Sequence, residues 1–389
     1  MLSSSLHVME TYDLTHETRL TKQARLVLRH GLAERVVIAG RWEPGKPRIE
    51  RIENSIDFVR IPMLRGSSYR ILEPLRRWDA GRRLFNLARE IRPHLIDCHN
   101  LSALGWCVRV RRLLGSPLVY VPHELETERN GLSGLRKSAE KRAERRLISH
   151  CDAVVVVSDS IADWYAHEYR MKRPIVVRNV PEIKGEKPEP NLRLWRDKFL
   201  IPDSHLVFIY QGGLFRGRRI EQLLRVFARA KADRHIVFMG YGELRGEVEA
   251  AAKSRSNVHF APPVKMDQVL QHTAGADVGL VGVANVCLSY FYSLPNKLFE
   301  FLMAGIPSLM PEYPEMALVA KGSGCGWVVG EKDEEWVAAI NALSPEDVAH
   351  GKRAARAASA NFTWGSEAEK LLTTYRRLMG PASLADKGL

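Results

Sequence analysis

Short runs rich in β-branched and aromatic residues recur along the chain, and amphipathic stretches of roughly 10 to 15 residues separate them. In the first half the runs are "LHVM" (6–9), "RVVIAG" (35–40), "IDFVRI" (56–61), "HLIDCH" (94–99), "PLVYVP" (117–122), "AVVVVS" (153–158) and "PIVVRN" (174–179). The segment "NVPEIKGEKPEPN" (179–191) concentrates proline and charge without apolar periodicity, so it reads as a linker. The pattern then restarts with "HLVFIYQGG" (205–213), "HIVFMG" (235–240), "NVHFA" (257–261), "DVGLVGV" (277–283), "PSLMP" (307–311) and "GWVVG" (326–330). This alternation predicts an α/β protein of two doubly wound parallel-sheet domains, 1–180 and 181–363, with ligands expected in a cleft at the carboxyl ends of the strands. In the remaining 364–389, "WGSEAEKLLTTYRRLMG" forms an amphipathic helix with Leu371, Leu372, Tyr375 and Leu378 on one side, predicted to pack back toward the N-terminal domain.

At 389 residues, 45% hydrophobic and 26% charged, the chain has enough apolar material for two cores, which excludes a disordered protein. No internal repeat points to a solenoid. No stretch approaches 18 apolar residues, and "MLSSSLHVMETYDL" lacks the build of a leader, so a cytoplasmic protein is expected. Cys98, Cys107, Cys151, Cys287 and Cys325 show no paired spacing, which argues for buried thiols rather than a zinc site or disulfides. The net charge of +13 is uneven: residues 1–180 carry +11 and the rest +2. A basic half of this kind suits an anionic partner, whether membrane surface, lipid-linked phosphate or nucleic acid.

Candidate chemistry concentrates in the second half. In "SLPNKLFEFLMAG" (293–305), Ser293 is placed as the N-cap of a helix, Pro295 near its first positions, and Leu298, Phe299, Leu302 and Met303 form its apolar side. A helix start following a strand can hold an anion; Lys297 adds a full charge, and Glu300, a turn deeper, can accept two hydrogen bonds from adjacent hydroxyls such as those of ribose. Another reading is a helix with an N-terminal acid and a solvated lysine. "YQGGLFRGRRIEQLL" presents Gly212 and Gly213 for close backbone approach and Arg216, Arg218 and Arg219 as forked donors to a diphosphate, one or more of which can equally be a surface charge. In the first half, His123 and Glu124 follow a strand end and His99 ends a neighbouring one, in a catalytic or a structural role. The basic segment 134–150, with Leu135, Ala139, Ala143 and Leu147 on one face, lies either on anionic lipid or against the body of its domain.

Taken in order and spacing, "YQGGLFRGRRIEQLL", "GYGEL", "NVHFAPPV" and "ADVGLVGV…LPNKLFEFLMAGIP…PE" resemble the donor-binding domain of glycosyltransferase family 4, retaining enzymes of GT-B fold. "PHELETE", "CDAVVVVSDSIADWY" and "RNVPE" are similar to its acceptor domain, and the resemblance covers most of residues 90–320. It implies a nucleotide-diphosphate sugar as donor, with Glu300 on the ribose, Arg218, Arg216 and Lys297 on the diphosphate, and amides near Gly213, Ser293 and Leu294 on phosphate oxygens. His123 would lie beside the transferred sugar. No metal or other cofactor is implied, and the acceptor would be a saccharide or lipid-linked hydroxyl in surface-polysaccharide or lipopolysaccharide assembly, with peripheral membrane contact through the basic half. Two positions depart from the family pattern: Tyr292 stands where a sugar-reading glutamate is common, and "METYDLTHETRL" replaces a glycine-rich loop. A nucleotide-sugar 2-epimerase shares the architecture. A basic nucleic-acid binding protein is the alternative from another class, although no stacking pattern or binding motif accompanies the charge.

Overall fold

Alternate residues of each long strand point to opposite faces, and along β9 (Leu206–Gly213) both faces are apolar. Val207 and Ile209 enter one buried cluster, while Leu206, Phe208 and Tyr210 enter another. β10 (Arg234–Tyr241) divides in the same way, and a sheet covered on both sides follows. The computed structural model describes residues 3–11, 14, 17–62, 73–182 and 191–380. Its contacts divide into two units, one running to Arg178 and resuming at Glu367, the other Asn179–Ser366. Most of the predicted linker, 183–190, lies outside the described residues.

The first unit contains β1 (Ser4–Val8), α1 (Thr18–Arg29), β2 (Arg35–Arg41), β3 (Ile49–Glu53), β4 (Ile56–Ile61), α2 (Glu73–Ile91), β5 (Leu95–Cys98) and α3 (Leu101–Leu114). β6 (Leu118–Tyr120), α4 (Gly134–Ile148), β7 (Ala153–Val156), α5 (Asp159–Tyr169) and β8 (Ile175–Val176) complete that run. The sheet order is β3-β4-β2-β1-β5-β6-β7-β8, parallel except for the antiparallel β3–β4 pair. β3 escaped the sequence pattern because it is a charged edge strand, "IERIE", with no buried face.

The second unit holds α6 (Leu194–Phe199), β9, α7 (Ile220–Phe227), β10, α8 (Arg245–Ser254), β11 (Val258–Ala261), α9 (Val269–Ala274) and β12 (Val278–Leu280). Then come α10 (Leu288–Phe291), α11 (Asn296–Met303), β13 (Ser308–Pro311), α12 (Pro314–Ser323), β14 (Gly326–Val329), α13 (Asp333–Ala342) and α14 (Pro345–Ser359). Its all-parallel sheet runs β11-β10-β9-β12-β13-β14.

α15 (Trp364–Met379) returns the chain to the first unit, with Leu371, Leu372 and Tyr375 buried as the periodicity predicts. Two polar ties anchor it: Tyr375 Oη donates to Asp97 Oδ2 on β5, and the Arg178 amide donates to Glu367 Oε2 at 2.9 Å.

Two local expectations are corrected. Ser293 is not a helix cap: it follows the short helix α10, Pro295 occupies the N-cap position of α11, and Ser293 Oγ donates to the Tyr290 carbonyl at 2.7 Å. Proline has φ suited to that place and no N–H to leave unpaired. On α4 the packed residues are Glu144 and Ile148, whereas Leu135, Ala139 and Ala143 are exposed. The Glu144 carboxylate receives the hydroxyls of Tyr120, Tyr165 and Tyr169 at 2.6–2.8 Å, and these three bonds offset the cost of burying it. Of the cysteines, Cys98, Cys107 and Cys325 are buried, Cys151 and Cys287 half-buried, and all are free. Among the described residues no helix is long and apolar enough to cross a membrane.

Candidate active site

In the second unit the strand order reverses between β9 and β12, and open α/β sheets bind ligands at the carboxyl ends of such a pair. β9 ends there in Gln211, Gly212 and Gly213. Gly212 has φ +108°, and a Cβ on its neighbour Gly240 would fall 1.9 Å from the Gly212 carbonyl oxygen, so glycine at both places lets the two strand ends close up. α11 carries Lys297 and Glu300 to the same end. Gln211 Nε2 donates to Glu300 Oε2, and Gln211 Oε1 accepts from Thr273 Oγ1 at 2.6 Å. One carboxylate oxygen is thereby fixed and the other is left available.

The cations are held differently. Lys297 Nζ sits 3.9 Å from the Tyr210 ring centroid, and the Arg218 guanidinium lies 4.8 Å from that of Tyr290. Cation–π contacts of this kind steady a charge without neutralising it. Neither side chain pairs with a carboxylate among the described residues. Burial, then the positive charge of Arg218, lowers the Lys297 pKa from 10.5 to about 7, against an upward pull from Glu300. The Glu300 carboxyl is pushed up by burial and drawn back by Gln211 and Lys297.

The other sequence candidates separate. Arg216 is exposed, its amide donating to Glu243 Oε1 at 3.0 Å and its guanidinium 3.9 Å from Glu221. Arg219 is buried and structural: it donates to the Val283 carbonyl at 2.7 Å and to Tyr313 Oη at 3.0 Å, and it pairs with Glu331. Leu294 is buried, Ser293 half-buried, and the Gly213 carbonyl accepts from Tyr210 Oη at 2.8 Å. Tyr292 is half-buried against Phe291, their ring centroids 5.5 Å apart.

The first unit has its own reversal, between β1 and β5. Register pairs His7 with Asp97, and His99, two residues on from Asp97, follows the strand end. His123, after β6, places Nε2 3.1 Å from His99 Nδ1. His7, Asp97 and His99 are buried with Arg19 of α1, which is 2% exposed, and His123 is half-buried. Burial lowers His7 to about 3 and raises Asp97 to about 7. His123 and His99 are held well below 6.5, first by burial and then by nearby positive charge, so their imidazoles stay neutral near pH 7. Donor atoms of His7, Asp97 and His99 lie within 4.8 Å of one another. Tyr375 already takes Asp97 Oδ2, and the Arg19 charge acts on the same carboxylate, so this set is poorly suited to a resident cation.

Sequence reasoning missed Gln211, Thr273, His7, Asp97 and Arg19. The one available signal was Gln211, a polar residue ending an otherwise apolar strand. The rest depend on strand register and helix packing.

The family model described as Glycosyltransferase Family 4 matches residues 24–179, and that described as Glycosyl transferases group 1 matches residues 205–345. No curated protein matches the chain. Among solved structures, sucrose-phosphate synthase from Thermosynechococcus elongatus superimposes with a TM-score of 0.79 at 14% identity, covering 97% of this chain and 99% of the other. Alr3699/HepE from Anabaena, in complex with UDP and glucose, gives 0.75 at 14% identity over 97% and 100%. WaaG, a glycosyltransferase involved in lipopolysaccharide biosynthesis, gives 0.68 at 18% identity over 97% and 100%. At these identities the likeness is one of fold.

Proposed function

Since the chain belongs to the group 1 glycosyltransferases, of GT-B type, we propose that it transfers a sugar, with retention of configuration, from a nucleotide-diphosphate sugar to a hydroxyl acceptor in surface-polysaccharide or lipopolysaccharide assembly. The observation that carries the donor assignment is the grouping at the β9–β12 reversal: two uncompensated cations, Lys297 and Arg218, beside a carboxylate anchored on one oxygen by Gln211. Two ribose hydroxyls complete Glu300. A diphosphate relieves the repulsion between Lys297 and Arg218 and restores the lysine to full charge.

Cleavage of the sugar–phosphate bond leaves charge on the diphosphate, where preorganised cations stabilise it without a metal. Attack by the acceptor on the face the phosphate leaves retains configuration, the departing oxygen taking the acceptor proton. His123, neutral and hydrogen-bonded to His99, serves as an uncharged partner for the sugar. The UDP-glucose complex of the Anabaena protein makes uridine donors the first to test. The part WaaG plays in lipopolysaccharide biosynthesis, with the basic first half of this chain, supports a lipid-linked acceptor at the cytoplasmic face of a membrane.

A thermal-shift series with UDP-, GDP- and ADP-sugars tests the donor, since a ligand of the folded state raises Tm by mass action. One base should stand out. Absence of any shift, or a shift undiminished in Glu300→Ala, rejects the assignment. Product analysis by NMR then reads the anomeric configuration; sugar conversion without an acceptor would identify an epimerase instead.

A further inference from the structure

Away from the strand ends that carry His99 and His123, the first unit has a cavity of about 700 Å³ lined by residues of α2, α3, α4 and the turn after α4. Its lining includes Trp78, Trp106, Arg109, Arg112, Arg146 and His150. Trp106 is locked in place: a Cβ on Gly81 of α2 would fall 1.7 Å from its indole, so glycine there lets the ring lie flat against the helix. The Arg109 guanidinium stacks on that ring at 4.3 Å, and Arg112 Nη2 donates to His150 Nε2 at 2.8 Å. Trp78 is 56% exposed at the rim.

The arginines of α3 are not alike in charge compensation. Arg111, on the same helix, is neutralised by a two-pronged pair with Asp152 at 2.7 and 2.8 Å. Arg109, Arg112 and Arg146 meet no carboxylate among the described residues, so three like charges converge on one concave surface. All three are exposed, so water screens part of their repulsion; an anion between them relieves the rest, and planar guanidiniums match the oxygens of a phosphate. The exposed Trp78 indole at the rim offers an apolar platform for the C–H face of a sugar ring, while Trp106 backs the Arg109 guanidinium.

We propose that this cavity is a second ligand site, for a sugar ring bearing a phosphate ester, where the phosphorylated part of the acceptor is held apart from the donor. The assignment as a binding site stands on the cavity alone, and the link to the acceptor rests on the glycosyltransferase reading. A soluble sugar phosphate and a phosphorylated lipid headgroup share the chemistry.

Titration of the intact protein with glucose 6-phosphate, glucose and inorganic phosphate, followed by tryptophan fluorescence and calorimetry, should give saturable binding that is tighter for glucose 6-phosphate than for either glucose or inorganic phosphate. Arg109→Ala/Arg112→Ala/Arg146→Ala should weaken glucose 6-phosphate at least tenfold and leave the UDP-sugar thermal shift unchanged, which also shows that the variant folds. Trp78→Phe should reduce the fluorescence response and leave the phosphate contribution intact. Phosphatidylcholine vesicles containing phosphatidylinositol phosphate should bind through the same arginines if the source is a lipid. Glucose 6-phosphate binding unaffected by the triple substitution, or absent at millimolar concentration, overturns the proposal. So does binding confined to phosphatidylglycerol vesicles, which would make the face a general membrane contact. Failure of every nucleotide sugar to bind while glucose 6-phosphate still binds would reject the donor reading and leave this site standing.

Discussion

The two strand-order reversals of this protein share a topology and differ in electrostatics. At β9–β12, Lys297 and Arg218 stand charged against aromatic rings without carboxylate partners, and the single nearby acid is anchored by a glutamine. At β1–β5, three histidines are driven neutral by burial around Asp97. A doubly wound sheet supplies the place for a ligand, and the side chains decide its charge: the β9–β12 end presents cations without an ion-pair partner, the β1–β5 end neutral imidazoles beside the buried Arg19.

The sharpest way to break this contrast is to remove the charges at β9–β12. Lys297→Met or Glu300→Ala should lower kcat/KM for the nucleotide sugar by about 10² to 10³. Lys297→Met should simultaneously gain roughly 1 kcal/mol of stability, because a buried ammonium without a partner is strained. A loss of both activity and Tm would mean the lysine is structural. Next in size is the arginine cluster: Arg219→Ala should cost about 1–3 kcal/mol in denaturant unfolding, since it removes the donor to the Val283 carbonyl, Tyr313 Oη and Glu331 and leaves Val283 and Tyr313 only their mutual bond. Arg216→Ala should change stability by less than about 0.5 kcal/mol.

Acidity offers a third test. Lys297 titrates at about 7 when no ligand is bound, so UDP-glucose affinity should be full below that pH and fall by at most about tenfold per pH unit above it. Calorimetry from pH 6 to 9 checks this. The unfolded chain holds the lysine proton up to 10.5, so the same group makes stability rise with pH between 7 and 10.5, and Lys297→Met should flatten that slope. An affinity independent of pH would place another group on the diphosphate.

The smallest effect lies in the first unit. His7, depressed to about 3, makes stability rise with pH up to 6.5; Asp97, raised to about 7, makes it fall between 3.8 and 7, so the two largely offset. Asp97→Asn should leave the His7 slope exposed, so that stability rises more steeply from pH 4 to 6.5 in urea titrations. An unchanged profile would mean that Asp97 is ionised throughout.

Strands with a buried face announced themselves through β-branched runs, and α15 through its apolar period, because burial constrains residue type at each position. β3 escaped because an edge strand buries little, and α10 because four residues carry too little periodicity to register. Within the site, Lys297, Glu300 and Arg218 were legible from motif and helix start. Gln211 and Thr273 were not, since their role exists only once β9 and α9 bring them beside α11. Likewise the three adjacent arginines look alike in sequence, and separating them took the fold: Arg216 in solvent, Arg218 over Tyr290, Arg219 tied to Glu331.

Sequence by itself therefore determined the α/β alternation, the two parallel sheets and the family, because hydrophobic period and motif spacing are local properties of the chain. Tertiary structure alone decided which charges are compensated. His7 meets Asp97 through strand register across 90 residues, and Lys297 lies over Tyr210 without an ion pair because the nearby Glu300 is tied to Gln211, and neither fact is written in any one segment.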